Sequence, residues 1–204
     1  MLQASDIACH RGSRELFRNI SFTVDPGSVL RVQGENGAGK TSLLRIIAGL
    51  AAPAAGSVLW CGVSVAKRGA RYVRDMALIG HANALKDELT PVENLRNALN
   101  VAGICISGNA VRAALRDDGL ERTANLPVQW LSQGQKRRVA LARLAFCSSR
   151  RLWVLDEPFS ALDSASVARL SGRLEQHLAA GGMVIYTTHQ EVAIAAPTRT
   201  LILQ

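Results

Sequence analysis

Gly34-Glu35-Asn36-Gly37-Ala38-Gly39-Lys40-Thr41 fits G-x-x-x-x-G-K-[ST], the pattern of a phosphate-binding loop. Val29-Leu30-Arg31-Val32 before it reads as a strand, and Thr41 to Gly49 after it reads as a helix with Ser42 in its first turn. That strand-loop-helix context is what the pattern needs. Its glycines let backbone N–H groups close around phosphate oxygens, and the helix N-terminus adds a favourable dipole. Gly34 to Ser42 are therefore expected to bind nucleotide. Lys40 would neutralise β- and γ-phosphate charge, and the Thr41 hydroxyl would reach Mg²⁺.

Arg151-Leu152-Trp153-Val154-Leu155-Asp156-Glu157-Pro158 is the first distant partner of this loop. Its apolar run reads as a strand buried on both faces. Two carboxylates follow at its C-terminal end, the end where a parallel α/β sheet binds ligands. Asp156 is placed to hold the Mg²⁺ hydration shell, and Glu157 to orient and deprotonate an attacking water. Leu131-Ser132-Gln133-Gly134-Gln135 is the second partner. Ser132 and Gln135 fit a capping box, which starts a helix near Gln133 and exposes a second anion-attracting N-terminus.

These three stretches, in their order along the chain, resemble the ABC-type ATPases, whose signature motif reads LSGGQ. Gln133 stands where the family usually has glycine. The resemblance runs from about Leu2 to Leu203. It implies a P-loop NTPase fold of class α/β: a RecA-like core, an antiparallel β subdomain and a helical subdomain at about 82–147, in a single domain of residues 1–204. It implies that Leu131 to Gln135 contact ATP from a second copy of the chain, so that a homodimer sandwiches two nucleotides. Ser160-Ala161-Leu162-Asp163 matches the D-loop, with Asp163 as a nucleotide contact, and Thr187-Thr188-His189 matches the switch histidine. Lys40, Glu157 and His189 are then the catalytic set, with ATP and Mg²⁺ as cofactors. The family's Q-loop glutamine falls on His81, a third metal candidate beside Thr41 and Asp156; imidazole there makes the contact pH-sensitive. No aromatic residue replaces the usual adenine stack, and His10 and Arg11 are both open for that role.

Cys9-His10-Arg11, Ile79-Gly80-His81, Glu93-Asn94-Leu95, Arg137-Arg138-Val139-Ala140 and Asp156-Glu157-Pro158-Phe159 narrow the resemblance to the CcmA family, the ATP-binding subunits of cytochrome c maturation. A short chain without a regulatory C-terminal extension suits it. The resemblance implies a CcmB-like membrane subunit as partner, with CcmC, CcmD and CcmE. It also implies peripheral attachment to the cytoplasmic face of the bacterial inner membrane, and work directed at release of haem-loaded CcmE rather than haem export. The groove between core and helical lobe, lined partly by His81 to Leu89, is where the family receives a coupling helix.

Composition is consistent with this but less specific. A chain of 204 residues can bury one sizeable core. No run approaches about 18 apolar residues, and no leader pattern opens the chain. The four cysteines are scattered, without CxxC or CxxCH, which points away from zinc, redox or covalent haem chemistry and towards buried free thiols in a reducing compartment. The net charge is +8, with Lys67, Arg68, Arg71 and Arg74 the densest exposed-looking basic group and Arg150-Arg151 elsewhere, and reads as a solvated surface before a polyanion site. No aromatic interleaving suggests nucleic acid. Ile20 to Val24 alternates before the turn Asp25-Pro26-Gly27, an expected antiparallel hairpin ahead of the phosphate loop. Ser57 to Trp60 reads as a strand. Thr90-Pro91-Val92-Glu93 combines N-cap, proline and capping-box glutamate for a helix to about Ala102, and Asn109 to Asp117 reads as another. The rival functions are the ATPase of a different ABC transporter, separable by co-purification with a CcmB-like protein, a soluble ABC ATPase acting on DNA or ribosomes, and a nucleotide-gated binding module with little turnover, against which Glu157 and His189 argue. The second usually carries a coiled-coil insertion or a tandem cassette, and neither is seen here.

Overall fold

The computed structural model describes residues 1–204, except for the side chain of Arg68. Strands β1 (Leu2–Arg11), β2 (Arg14–Val24) and β3 (Val29–Gly34) lead to α1 (Lys40–Ile47). β4 (Ala55–Trp60), β5 (Val63–Ser64), α2 (Val65–Arg68), α3 (Ala70–Asp75) and β6 (Met76–Ile79) follow. Next come the helices α4 (Pro91–Val101), α5 (Gly108–Asp117) and α6 (Gln133–Ala142). The chain ends with β7 (Leu152–Leu155), α7 (Ser164–Ala179), β8 (Met183–Thr187) and β9 (Thr198–Leu203).

Two sheets divide these strands. One is antiparallel, in the order β2-β1-β4-β5, and the other is parallel, in the order β6-β7-β8-β3-β9. The order of the second sheet positions the site. β7, β8 and β3 are neighbours, with Val32 opposite Thr187 and Leu155 opposite Tyr186. Their C-terminal ends therefore deliver the phosphate loop, the Asp156-Glu157 pair and the Thr187-to-His189 segment to one edge. β7 and β8 are buried at every position, which explains the apolar run of β7 and of β8 up to Thr187.

The hairpin lies elsewhere than the Asp25-Pro26-Gly27 turn. β1 and β2 close through Gly12-Ser13, with Arg11 opposite Arg14. Asp25 to Gly27 instead carries the chain from one sheet to the other, because β3 pairs with β8 and β9 in parallel. The helix starts agree with their sequence signals. Thr90 and Ser132 each form a reciprocal capping box, with Glu93 and Gln135. Thr90 Oγ1 accepts from the Glu93 amide at 3.3 Å, and Glu93 Oε2 accepts from the Thr90 amide at 2.8 Å. The Thr90 amide and hydroxyl, both donating to Oε2, hold the Glu93 carboxyl below its usual range.

Three apolar clusters hold the molecule. Leu43, Leu44, Ile46 and Ile47 of α1 pack between the sheets with Trp60, Val154 and Ile185. Leu170, Leu174 and Leu178 of α7 pack on Trp153, Val184 and Tyr186. Leu95, Leu99, Val111, Leu115 and Val139 form a separate cluster among α4, α5 and α6. Each such side chain contributes about 1.5–3 kcal/mol on burial.

Two surface expectations are corrected. Only Cys147 is buried; Cys9 is half-buried, and Cys61 and Cys105 are exposed. Arg150 is buried too, because its guanidinium satisfies the carbonyls of Val73, Met76 and Ala102 at 2.8, 2.9 and 3.0 Å. Arg151 is exposed and lies over the Trp60 ring at 5.4 Å. Lys67, Arg71 and Arg74 are exposed as expected, whereas the Arg68 side chain lies outside the described residues. Among the described residues no helix is long and apolar enough to cross a membrane, and no cluster of three or more His, Cys, Asp or Glu side chains is placed to hold a metal.

His177 gives the fold a pH dependence. It stacks on Trp153 with centroids 3.9 Å apart and planes 6° from parallel, and a Cβ on Gly182 would run into its ring. Burial lowers its pKa to about 4, and an interaction with the Met183 backbone opposes this in part. An unfolded histidine titrates near about 6.5. The lowered folded pKa means that the unfolded chain takes up the proton first. Stability from this neutral ring is therefore full above about pH 6.5 and is lost as pH falls towards 4. Between pH 7.5 and 5 the melting temperature of His177→Met should fall less than that of the parent, by on the order of 5 °C. Parallel melting curves across that range would remove His177 from the acid limb.

Candidate nucleotide site

The phosphate loop turns into α1 through Gly39, which caps the helix in the left-handed conformation at φ 96°. A Cβ there would stand 2.9 Å from the Phe17 ring, so only glycine lets the loop lie against β2. No acidic residue occupies the first turn of α1, which leaves its N-terminal field free for an anion. Lys40 is buried at 8% exposure and is held in place from two sides. Its Nζ donates to the carbonyls of Gly34 at 2.7 Å and Glu35 at 3.1 Å, and lies 3.2 Å from His189 Nε2.

Asp156 uses both carboxylate oxygens. Thr41 Oγ1 donates to Oδ2 at 2.8 Å, and Thr187 Oγ1 donates to Oδ1 at 2.7 Å. The Thr187 hydroxyl also accepts from the Glu157 amide at 2.8 Å. Glu157 has φ 47°, an uncommon conformation for a residue with a Cβ, and local contacts hold it there. Its Oε1 is buried, has no hydrogen-bond partner among the described residues, and lies 3.4 Å from His189 Nε2.

A cleft of about 490 Å³ gathers these groups. Its walls are Arg11, Leu16, Asn36, Gly37, Gly39, Lys40, Thr41, Ser42, His81, Asp156, Glu157, Ser160 and His189. Gly34 and Glu35 contribute carbonyls to Lys40, and Ala38 packs towards the core. Arg11 rather than His10 reaches the wall; His10 lies 3.8 Å from Glu15 instead. His81 is exposed and faces this cleft.

Leu131 to Gln135 and Asp163 are not brought to this cleft. Ser132 caps α6, where its hydroxyl accepts from the Gln135 amide at 3.2 Å and Gln135 Oε1 accepts from the Ser132 amide at 2.8 Å. Gln133 is exposed, and Leu131 is buried. Gly134 passes close to the chain, where a Cβ would lie 2.6 Å from the Ala161 carbonyl oxygen. Asp163 caps α7 by accepting from the Ser166 amide at 2.7 Å, and the Ser166 hydrogen bonds hold its carboxyl below the usual range.

A separate groove of about 610 Å³ lies between core and helical lobe, with Leu50, Val73, Leu78, Leu99, Val101 and Ile104 on its walls. Val101 is 92% exposed and Leu50 58%. This apolar groove does not include the 81–89 segment. Ala84 and Lys86 line a neighbouring cleft with Asn94 and Asn97, and His81 belongs to the nucleotide cleft. Thr187 and Ser160 were read from sequence only as members of the switch and D-loop segments, and Leu16 drew no site role. Thr187 had a signal: a hydroxyl at the end of the wholly buried strand Met183–Thr187 must find partners there.

Comparisons with known proteins agree with this geometry. Residues 17–160 match the ABC transporter family. The chain is 52% identical over 201 residues to the cytochrome c biogenesis ATP-binding export protein CcmA of Aromatoleum aromaticum, covering 98% of this chain and 94% of that protein. It is 48% identical over 198 residues to the CcmA of Dechloromonas aromatica, covering 97% of each. The ATP-binding cassette MJ0796, solved as a dimer in a post-hydrolysis state with ADP and phosphate, has the same fold. It aligns with a TM-score of 0.78 and 26% identity, over 93% of this chain and 88% of that one. A phosphate loop, paired strand-end acids and a capped signature helix, on a fold and sequence matched along nearly the whole length, place this chain in the ABC transporter family as an ABC-type ATPase, within its CcmA branch.

Proposed function

We propose that the chain works as one ATPase domain, residues 1–204 with the helical lobe at about 82–147, and powers a CcmAB complex in c-type cytochrome biogenesis. The observation that carries the catalytic part is Glu157 in the cleft wall, its Oε1 3.4 Å from His189 Nε2, which in turn lies 3.2 Å from Lys40 Nζ. Glu157 takes a proton from the attacking water. Lys40 and the loop amides stabilise charge on the phosphates, and His189 contacts the γ-phosphate. Mg²⁺, when bound, supplies further charge neutralisation. The Thr41 hydroxyl and Asp156 carboxylate, 2.8 Å apart, are the hard oxygen pair that suits it, with His81 across the cleft.

The signature residues lie away from the chain's own cleft, which supports a sandwich in which Ser132 and the α6 amides meet the nucleotide of a second copy. Trp130 fits this reading. It is 75% exposed immediately before Leu131, whereas Trp60 and Trp153 are at most 2% exposed, so its fluorescence would report covering of this segment. The apolar groove with Leu50 and Val101 on its rim supports docking of a helix from a CcmB-like subunit at the cytoplasmic face of the inner membrane, with CcmC, CcmD and CcmE nearby. The output of hydrolysis is release of haem-loaded CcmE, and haem export is the competing output.

Cells whose only copy is Glu157→Gln should lose mature c-type cytochromes on haem-stained gels, keep b-type cytochromes, and accumulate haem-loaded CcmE. Haem-free CcmE in those cells would favour export. Normal c-type cytochromes would refute the role in this pathway.

A further inference from the structure

Arg137 stands in the second turn of the signature helix at 3% exposure. Its Nη1 donates to the Gly80 carbonyl at 2.9 Å and to Asn83 Oδ1 at 3.2 Å. Its Nη2 donates to the carbonyls of Asp156 at 2.6 Å and Glu157 at 3.0 Å. One guanidinium thus ties α6 to the ends of two neighbouring strands, β6 and β7. The first end carries His81 and the second carries both acids of the cleft.

The Glu157 residue is gripped at both ends by this arrangement. Thr187 on β8 accepts from its amide, and Arg137 on α6, together with the Ser160 amide at 3.2 Å, donates to its carbonyl. That is how a residue with a Cβ is kept at φ 47°. The planar fork of arginine suits these acceptors, which also include the His81 carbonyl at 3.5 Å; an ammonium has three donors and no fixed plane. Packing does not account for the charge. Its hydrogen-bond partners are neutral groups, and the nearby Asp156 and Glu157 carboxylates favour its charged form against the cost of burial.

We propose that Arg137 is a positioning residue that sets the Glu157 backbone and the Gly80–Asn83 turn by the position of the signature helix. When α6 engages a nucleotide on the second copy, the same helix holds the base of its own cleft in register. The proposal rests on the reading of Glu157 as the base.

The test uses full-length Arg137→Met, Arg137→Gln and Arg137→Lys, with ATP turnover, affinity for a fluorescent ATP analogue, and melting temperature measured for each. The expected result is a kcat about 10- to 100-fold lower in all three, the scale of a small misplacement at the reacting atoms. Nucleotide affinity should stay within about threefold of the parent, and Arg137→Lys, which keeps a donor for part of this carbonyl set, should melt closer to the parent than Arg137→Met. Parent-level kcat in any folded variant would overturn the proposal. So would kcat, affinity and melting temperature falling together, or failure of all three variants to fold, since either means a structural role. Glu157→Gln run alongside separates the two readings: if it turns over at the parent rate, it is the assignment of Glu157 that fails.

Discussion

Glu157→Gln should bind ATP and lose turnover by on the order of 10²- to 10⁴-fold, the contribution of a positioned general base. The amide keeps the shape of the carboxyl and the backbone contacts to Thr187 and Arg137, so the cleft persists. It cannot take the proton from water. Ser132 and the α6 N-terminus remain intact, so ATP still bridges two copies, and without hydrolysis the bridge does not reset. On size-exclusion chromatography with ATP and Mg²⁺ this variant should elute as a dimer, and without nucleotide as the parent does. Turnover close to the parent rate would remove Glu157 as the base.

Lys40→Ala should abolish saturable ATP binding at concentrations that saturate the parent, or lower kcat by about 10²–10³-fold if binding survives. Lys40 is the buried cation at the loop, and its removal leaves the Gly34 and Glu35 carbonyls without their shared donor. Phosphate charge then meets acceptors instead of an ammonium. Titration with a fluorescent ATP analogue checks this. Parent-like affinity together with parent-like turnover would show that the loop amides suffice.

Much of this was legible in sequence because the signals are local. The phosphate loop, the two capping boxes and the all-apolar β7 each follow from a few adjacent residues. What escaped depends on pairings distant in sequence. The Asp25-Pro26-Gly27 turn suggested a hairpin, but a turn does not say which sheet the next strand joins, and β3 joins β8 and β9. β9 drew no assignment from its sequence, since an edge strand of mostly exposed residues leaves a weak pattern. Arg150 looked like surface charge, yet it reaches carbonyls 74 and 48 positions away in sequence. Arg137 and Thr187 belong to the same kind. Composition shows a charge and a hydroxyl, and only the assembled strand ends show which backbone groups they hold.

The composite cleft is tested most directly by mixing two variants that are inactive separately. Lys40→Ala breaks the loop and leaves the signature intact. Ser132→Asp leaves the loop intact and keeps a helix-capping oxygen, but sets a negative charge against the phosphate. If the signature of one copy serves the ATP of the other, a mixed dimer contains one complete site, and mixing should restore measurable ATP turnover above the sum of the two proteins. If each chain supplied its own signature, no chain in the mixture would be whole. Absence of any recovery, with mixed dimers demonstrated to form, would contradict the two-copy site.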